Sequence, residues 1–117
     1  MQLTITPRES QDVSILDLNG RIVAGEECDA LRSKIKDLLA GNHIKILLNM
    51  NDVARIDSTG IGMLVEAVIN TTKQDGQLKL ANLPRLMRNI LSTHRLLQAF
   101  EVYDTEAQAL ASFEKAA

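Results

Sequence analysis

One stretch of this sequence, Asp57-Ser58-Thr59-Gly60-Ile61-Gly62-Met63, has residue types and spacing that point to a chemical task. Asp57 or Ser58 stands just before a periodic apolar stretch, where a short oxygen-bearing side chain accepts from the free N–H groups of a helix's first turn. Two features go beyond a simple cap. A capping box would carry Glu or Gln three residues after the cap, yet Gly60 or Ile61 stands there. Two glycines so early in a helix each cost about 1 kcal/mol relative to alanine. Bare backbone is therefore needed there, for packing or for close approach by another molecule. On a helical wheel with Ile61 at zero, Met63 projects at roughly 200°, beside Thr59 and Glu66 and away from the apolar stripe. Met63 is thus expected on the surface, where a thioether on a smooth, glycine-flanked face suits a docking partner.

Other chemistries lack support. Gly60-x-Gly62 begins like a dinucleotide fingerprint, but Val65 occupies the place of the third glycine. No G-x-x-x-x-G-K-[ST] phosphate loop occurs, and Ser58, between Asp57 and Thr59, is not in a nucleophile elbow. His43 and His94 stand 51 residues apart without neighbouring clusters. His43 is expected in a turn before a strand, and His94 at a helix end, where a cation complements the dipole. Cys28, alone in the chain, cannot form an internal disulfide or by itself hold a structural zinc, and falls on an apolar stripe as a small core residue. No catalytic residue, metal ligand set or cofactor is expected.

The elements that position these residues follow from composition and period. The 117 residues suit one domain, and 45% hydrophobic with 24% charged residues is a globular balance. The core must be aliphatic, because Phe100, Phe113 and Tyr103 are the only aromatics. Thirteen basic against fifteen acidic residues leave a net charge of −2, with no basic field and few stacking platforms, which disfavours nucleic acid. Neither a signal peptide nor about 18 consecutive apolar residues appears, so no membrane insertion is expected and a reducing cytoplasm fits the single cysteine. The sequon Asn70-Thr71-Thr72 is a chance match in that compartment.

Strands are expected at 2–6 and 13–19, joined by the polar turn 8–12, then a helix over 25–40 with Cys28, Leu31, Ile35, Leu38 and Leu39 inward. The near-continuous aliphatic run 44–50 reads as a strand covered on both faces. A helix over 58–74 carries the stripe Ile61, Leu64, Val65, Val68, Ile69 and Thr72, and a strand follows at 77–81. Pro84 opens a helix to Thr93 with Leu86, Met87, Ile90 and Leu91 on one side. A last short strand spans 100–103, and Thr105 caps a helix with Ala107, Leu110 and Phe113 inward. The order β-β-α-β-α-β-α-β-α predicts a single α/β domain over residues 1–117, with a mostly parallel mixed sheet of about five strands and about four helices.

The run Asp57-Ser58-Thr59-Gly60-Ile61-Gly62, after Ile46-Leu47-Leu48-Asn49 and before Leu78-Lys79-Leu80-Ala81-Asn82-Leu83, resembles the anti-sigma factor antagonists of the STAS fold. The resemblance covers nearly the whole chain in length and element order. It implies a small cytoplasmic protein without enzymatic activity that binds an anti-sigma factor with serine kinase activity and so releases a sigma factor. It further implies phosphorylation of the serine after the motif's aspartate, here Ser58 and less favourably Thr59, reversed by a serine phosphatase. Asp57, Thr59, Gly60, Gly62, Met63 and Glu66 would then face the partner. Phosphorylation adds about −1.5 to −2 charges, which a helix N-terminus tolerates and a docked partner would have to desolvate.

The chain departs from the family in two places. Gly20-Arg21-Ile22-Val23 stands where many antagonists have G-E-[IL]-D, so Arg21 could pair with a phosphate where an acid is usual. His94-Arg95-Leu96 replaces the usual T-G-L. A second resemblance, through the D-[ST]-x-G turn, is to small STAS subunits that bind the ATPase of lipid-asymmetry ABC transporters. Under it, Ser58 would be a cap inside a permanent interface.

Overall fold

The aliphatic run in the middle of the chain and the period-two stretch before it become the buried strands of one sheet. In the computed structural model, which describes residues 1–114, the elements are β1 (Leu3–Ser10), β2 (Val13–Ile22), α1 (Glu26–Ala40), β3 (Lys45–Ile56), α2 (Ser58–Lys73), β4 (Gln77–Ala81), α3 (Arg85–Thr93), β5 (Glu101–Tyr103) and α4 (Glu106–Glu114), with a short 3-10 turn at Leu97–Ala99. The fold is α/β, with a five-stranded mixed sheet and four helices. The strands lie side by side in chain order, β1 antiparallel to β2 and the rest parallel.

Crossovers of one hand along a sheet that grows in one direction put their helices on one face. Accordingly α1, α2 and α3 share one core, in which Leu31, Ile35, Leu64, Met87 and Leu91 meet Leu16, Leu18, Ile46 and Leu48 of the strands. The alternate strand residues Val13, Ile15, Leu47 and Ala81 face the other way and are covered by Ala109 and Phe113 of α4. Lys79 also lies on that face, only 2% exposed. Its Nζ donates to Ser112 Oγ at 2.8 Å and sits 4.5 Å from the Phe113 ring centre. Bonding and ring contact compensate a buried ammonium.

Several expectations are corrected. The polar run 8–12 is not a turn: β1 continues to Ser10, and only Gln11 and Asp12 connect it to Val13, with Gln11 at φ 56. Arg8 reads as a turn residue but belongs to an outward-facing edge strand, where it bridges Asp17 of β2 and Glu106 of α4. Strand β3 runs six residues past the aliphatic stretch, to Ile56, with irregular pairing to β2 over Asn49–Arg55. Ala107 and Leu86 are exposed, and Ala109 takes the inward place in α4.

The largest correction concerns α2. Ile69 and Thr72, expected inside, are exposed, while Met63 and Ala67 are buried. A helix that rests on a sheet alone buries one stripe. Helix α2 also rests on α1, so its buried arc turns toward α1, and Met63 and Ala67 fill the seam with Ile35 and Leu39. Among the described residues, no helix is long and apolar enough to cross a membrane.

Candidate functional site

The site forms where β3 hands over to α2. Asp57 is extended, with φ −105° and ψ 179°, and is the helix cap. Its Oδ1 accepts from Gly60 N at 2.8 Å, and its Oδ2 accepts from Ala24 N at 2.9 Å, in the loop between β2 and α1. Its own N–H donates to Ile22 O at 3.3 Å. Through its carboxylate and its own N–H, Asp57 thus ties the head of α2, the β2–α1 loop and the end of β2 together. The hydrogen bond from Ala24, then that from Gly60, holds the Asp57 carboxyl below the ordinary carboxylate range. With the cap supplied by Asp57, Ser58 is the first helical residue and is exposed, as is Thr59.

The two glycines have different causes. A Cβ on Gly60 would stand 2.2 Å from Ile22 O and 2.9 Å from Ile56 Cγ1, so Gly60 exists to let α2 lie on the strand ends. Gly60 is buried, not a surface residue. A Cβ on Gly62 would meet nothing within 4 Å, and that position is exposed. Among the described residues, nothing lies close enough to require the second glycine.

Met63 is likewise corrected: it is 2% exposed, sealed between α2 and α1. A wheel centred on Ile61, Val65 and Ile69 puts Met63 outside, whereas the buried arc of α2 is centred on Leu64 and Ala67. Glu66 is exposed, 3.9 Å from Arg32 Nε. Of the residues singled out in the motif, the fold brings Ser58, Thr59, Gly62 and Glu66 to one outer face and turns Gly60 and Met63 away from it.

Beside Ser58 runs an open groove of about 500 Å³ between the start of α2 and the end of α3. Ile61 and Val65 form one wall, Ile90 and Leu96 the other. Asp57 and Ser58 also line it, and so does His94, the C-terminal cap of α3. Neither the groove nor the Ala24 contact was visible in sequence, since a backbone N–H leaves no residue signature and α3 is brought to α2 only by the sheet. Arg21 is exposed at the end of β2 and pairs in register with exposed Arg55 of β3. Among the described residues, no three His, Cys, Asp or Glu side chains gather as a metal site.

The STAS domain family model matches residues 4–109. The chain belongs to the STAS domain family. Among solved structures, this STAS domain is similar to a candidate anti-sigma factor antagonist from Thermotoga maritima, with 25% identity over 92% of each chain and a TM-score of 0.85. It is also similar to an anti-sigma factor antagonist from Mycobacterium paratuberculosis, at 19% identity over 94% of this chain and 92% of that one, TM-score 0.81. The Bacillus cell fate determinant SpoIIAA, solved in its phosphorylated form, matches at 18% identity over 94% of this STAS domain and 99% of its own chain, TM-score 0.72. The last two likenesses speak to the fold alone. No curated protein sequence matches the chain.

Proposed function

We propose that this STAS domain is an anti-sigma factor antagonist, a binding protein and not an enzyme, whose docking is switched off by phosphorylation of Ser58. The partner is an anti-sigma factor with serine kinase activity, whose capture frees a sigma factor in the cytoplasm. A serine phosphatase resets the switch. Thr59, also exposed, is the less favourable acceptor. The observation that carries this reading is the division of labour at the head of α2: Asp57 supplies the cap, and the Ser58 side chain is left exposed. A serine that capped its own helix would have to break that bond to be modified.

The partner-facing surface is the outer face of α2, made of Ser58, Thr59, Gly62 and Glu66, with Asp57 at its edge. Gly62 lets a partner's backbone or side chain come against bare helix. A phosphoryl group there brings about two negative charges beside an ionised Asp57. The free domain keeps that charge in water, whereas a docked partner must desolvate it. A loss of about 2.8 kcal/mol of binding is already a hundredfold in affinity, so an off switch needs no change of fold.

The test combines the purified chain with a candidate kinase-type anti-sigma factor and ATP. Phosphate should enter at Ser58 and be absent from Ser58→Ala, and Ser58→Asp should bind at least tenfold more weakly while melting like the wild type. Phosphate on another residue, or equal binding by Ser58→Asp, defeats the reading. Constitutive binding to a transporter ATPase, indifferent to Ser58→Asp, would favour the scaffold alternative.

A further inference from the structure

We propose that the His94 imidazolium pairs with a phosphate carried on Ser58 across the groove between α2 and α3, so that phosphorylation spans the groove with an internal ion pair. This rests on the reading of Ser58 as the phosphorylated residue. Ser58 and His94 line the same groove, and the lining contains two ionisable groups, Asp57 and His94. Asp57 is committed: both its oxygens accept from backbone, at Gly60 and Ala24, and it is held as the anion. Its oxygens are turned to those backbone donors, and its charge repels a neighbouring phosphate. Within the lining, His94 is the group that can carry positive charge toward a phosphate on Ser58.

That wall is prepared for an anion. His94 is exposed and sits at the carboxyl end of α3, where the helix dipole favours a cation. Exposed Arg95 follows it directly and adds positive charge. The groups facing His94 from β3, α2 and the chain after α3 are otherwise apolar (Ile56, Ile61 and Leu96). A phosphate monoester loses its second proton at about pH 6, and the resulting dianion attracts an imidazolium. Each charged form then stabilises the other near neutrality. The phosphorylated protein would carry its charge at the edge of the partner-facing surface and be bridged across the groove beside it.

The experiment needs no kinase. Phosphoserine is installed at position 58 by genetic-code expansion, and both imidazoles are titrated by proton NMR with the phosphate followed by phosphorus NMR. His43, beside Glu9 at 3.8 Å and outside this groove, is the internal control. The His94 midpoint should rise by about half a unit or more in the phosphoprotein, less than the roughly one to three units that a close, buried opposite charge produces. The His43 midpoint should stay, and His94→Gln should move the phosphate midpoint back up. An unmoved His94, or equal shifts at both histidines, overturns the proposal. Should Ser58 prove not to be a kinase substrate while these shifts appear, the groove pair stands and the switch reading falls. Enzymatic phosphorylation without the shifts gives the reverse.

Discussion

Replacing Gly60 and Gly62 separately by alanine makes the same chemical change two residues apart, with opposite expected signs. Each substitution gains up to about 1 kcal/mol of helix propensity, somewhat less in a first turn. At position 62 the new methyl meets nothing within 4 Å, so the gain is realised and the domain should be more stable by about 0.5–1 kcal/mol. At position 60 it would stand 2.2 Å from the Ile22 carbonyl oxygen, an atom fixed in β2. Relief requires α2 to back away by about an ångström, which also stretches the Gly60–Asp57 hydrogen bond of 2.8 Å. Overpacking of this kind costs about 1–3 kcal/mol and more against backbone, so Gly60→Ala should lose about 1–3 kcal/mol net. Urea denaturation with a shared m-value reads both, and the melting temperatures should separate by several degrees in opposite directions. If Gly60→Ala were as stable as Gly62→Ala, the close packing of α2 on β2 would be wrong. On the proposed function, Gly62→Ala should also weaken binding to an anti-sigma factor despite its added stability.

Met63→Ala should cost about 2–5 kcal/mol, as for a buried large-to-small change, whereas a surface methionine would cost almost nothing in the same melt. Asp57→Ala should lose about 1–2 kcal/mol as a cap, and the Ala24 amide should exchange its hydrogen faster. Because the fold lowers the Asp57 pKa, its contribution is complete above the ordinary carboxylate range and is lost as pH falls through the lowered value. The wild-type loss of stability on acidification should therefore be shallower in Asp57→Asn. Lys79→Met, which keeps the stem under Phe113, should stay within about 1 kcal/mol of the wild type, whereas Lys79→Glu should lose several; thermal melts separate the two.

The element order and most helix and strand cores were legible because period-two and period-3.6 patterns were carried by aliphatic side chains. Strand β4 and the helix ending at Ala40 are instances. Arg8 and Glu9 hid the second half of β1, since an edge strand exposed on both faces from Thr6 to Glu9 carries no apolar alternation and reads as a turn. The error on α2 has a different origin. Val65 and Ile69 made an apolar stripe stronger than the buried one, and only the presence of α1 alongside decides which stripe goes inside. At the site, the exposed serine beside an acidic cap could be read from residue types. The roles of Gly60 and Gly62 could not be separated, because what a glycine avoids is another segment's atom.

The side-by-side order of the strands bears on how the molecule is made. No strand has to thread between two already in place, so each new one can add to a finished edge as it leaves the ribosome, starting from the β1–β2 hairpin. The underside stays bare throughout that growth. Val13, Ile15, Leu47 and Ala81 wait for Ala109 and Phe113, which arrive with the last helix. Synthesis interrupted before residue 109 would leave the Ser58 end assembled on a sheet whose reverse is greasy and ready to aggregate.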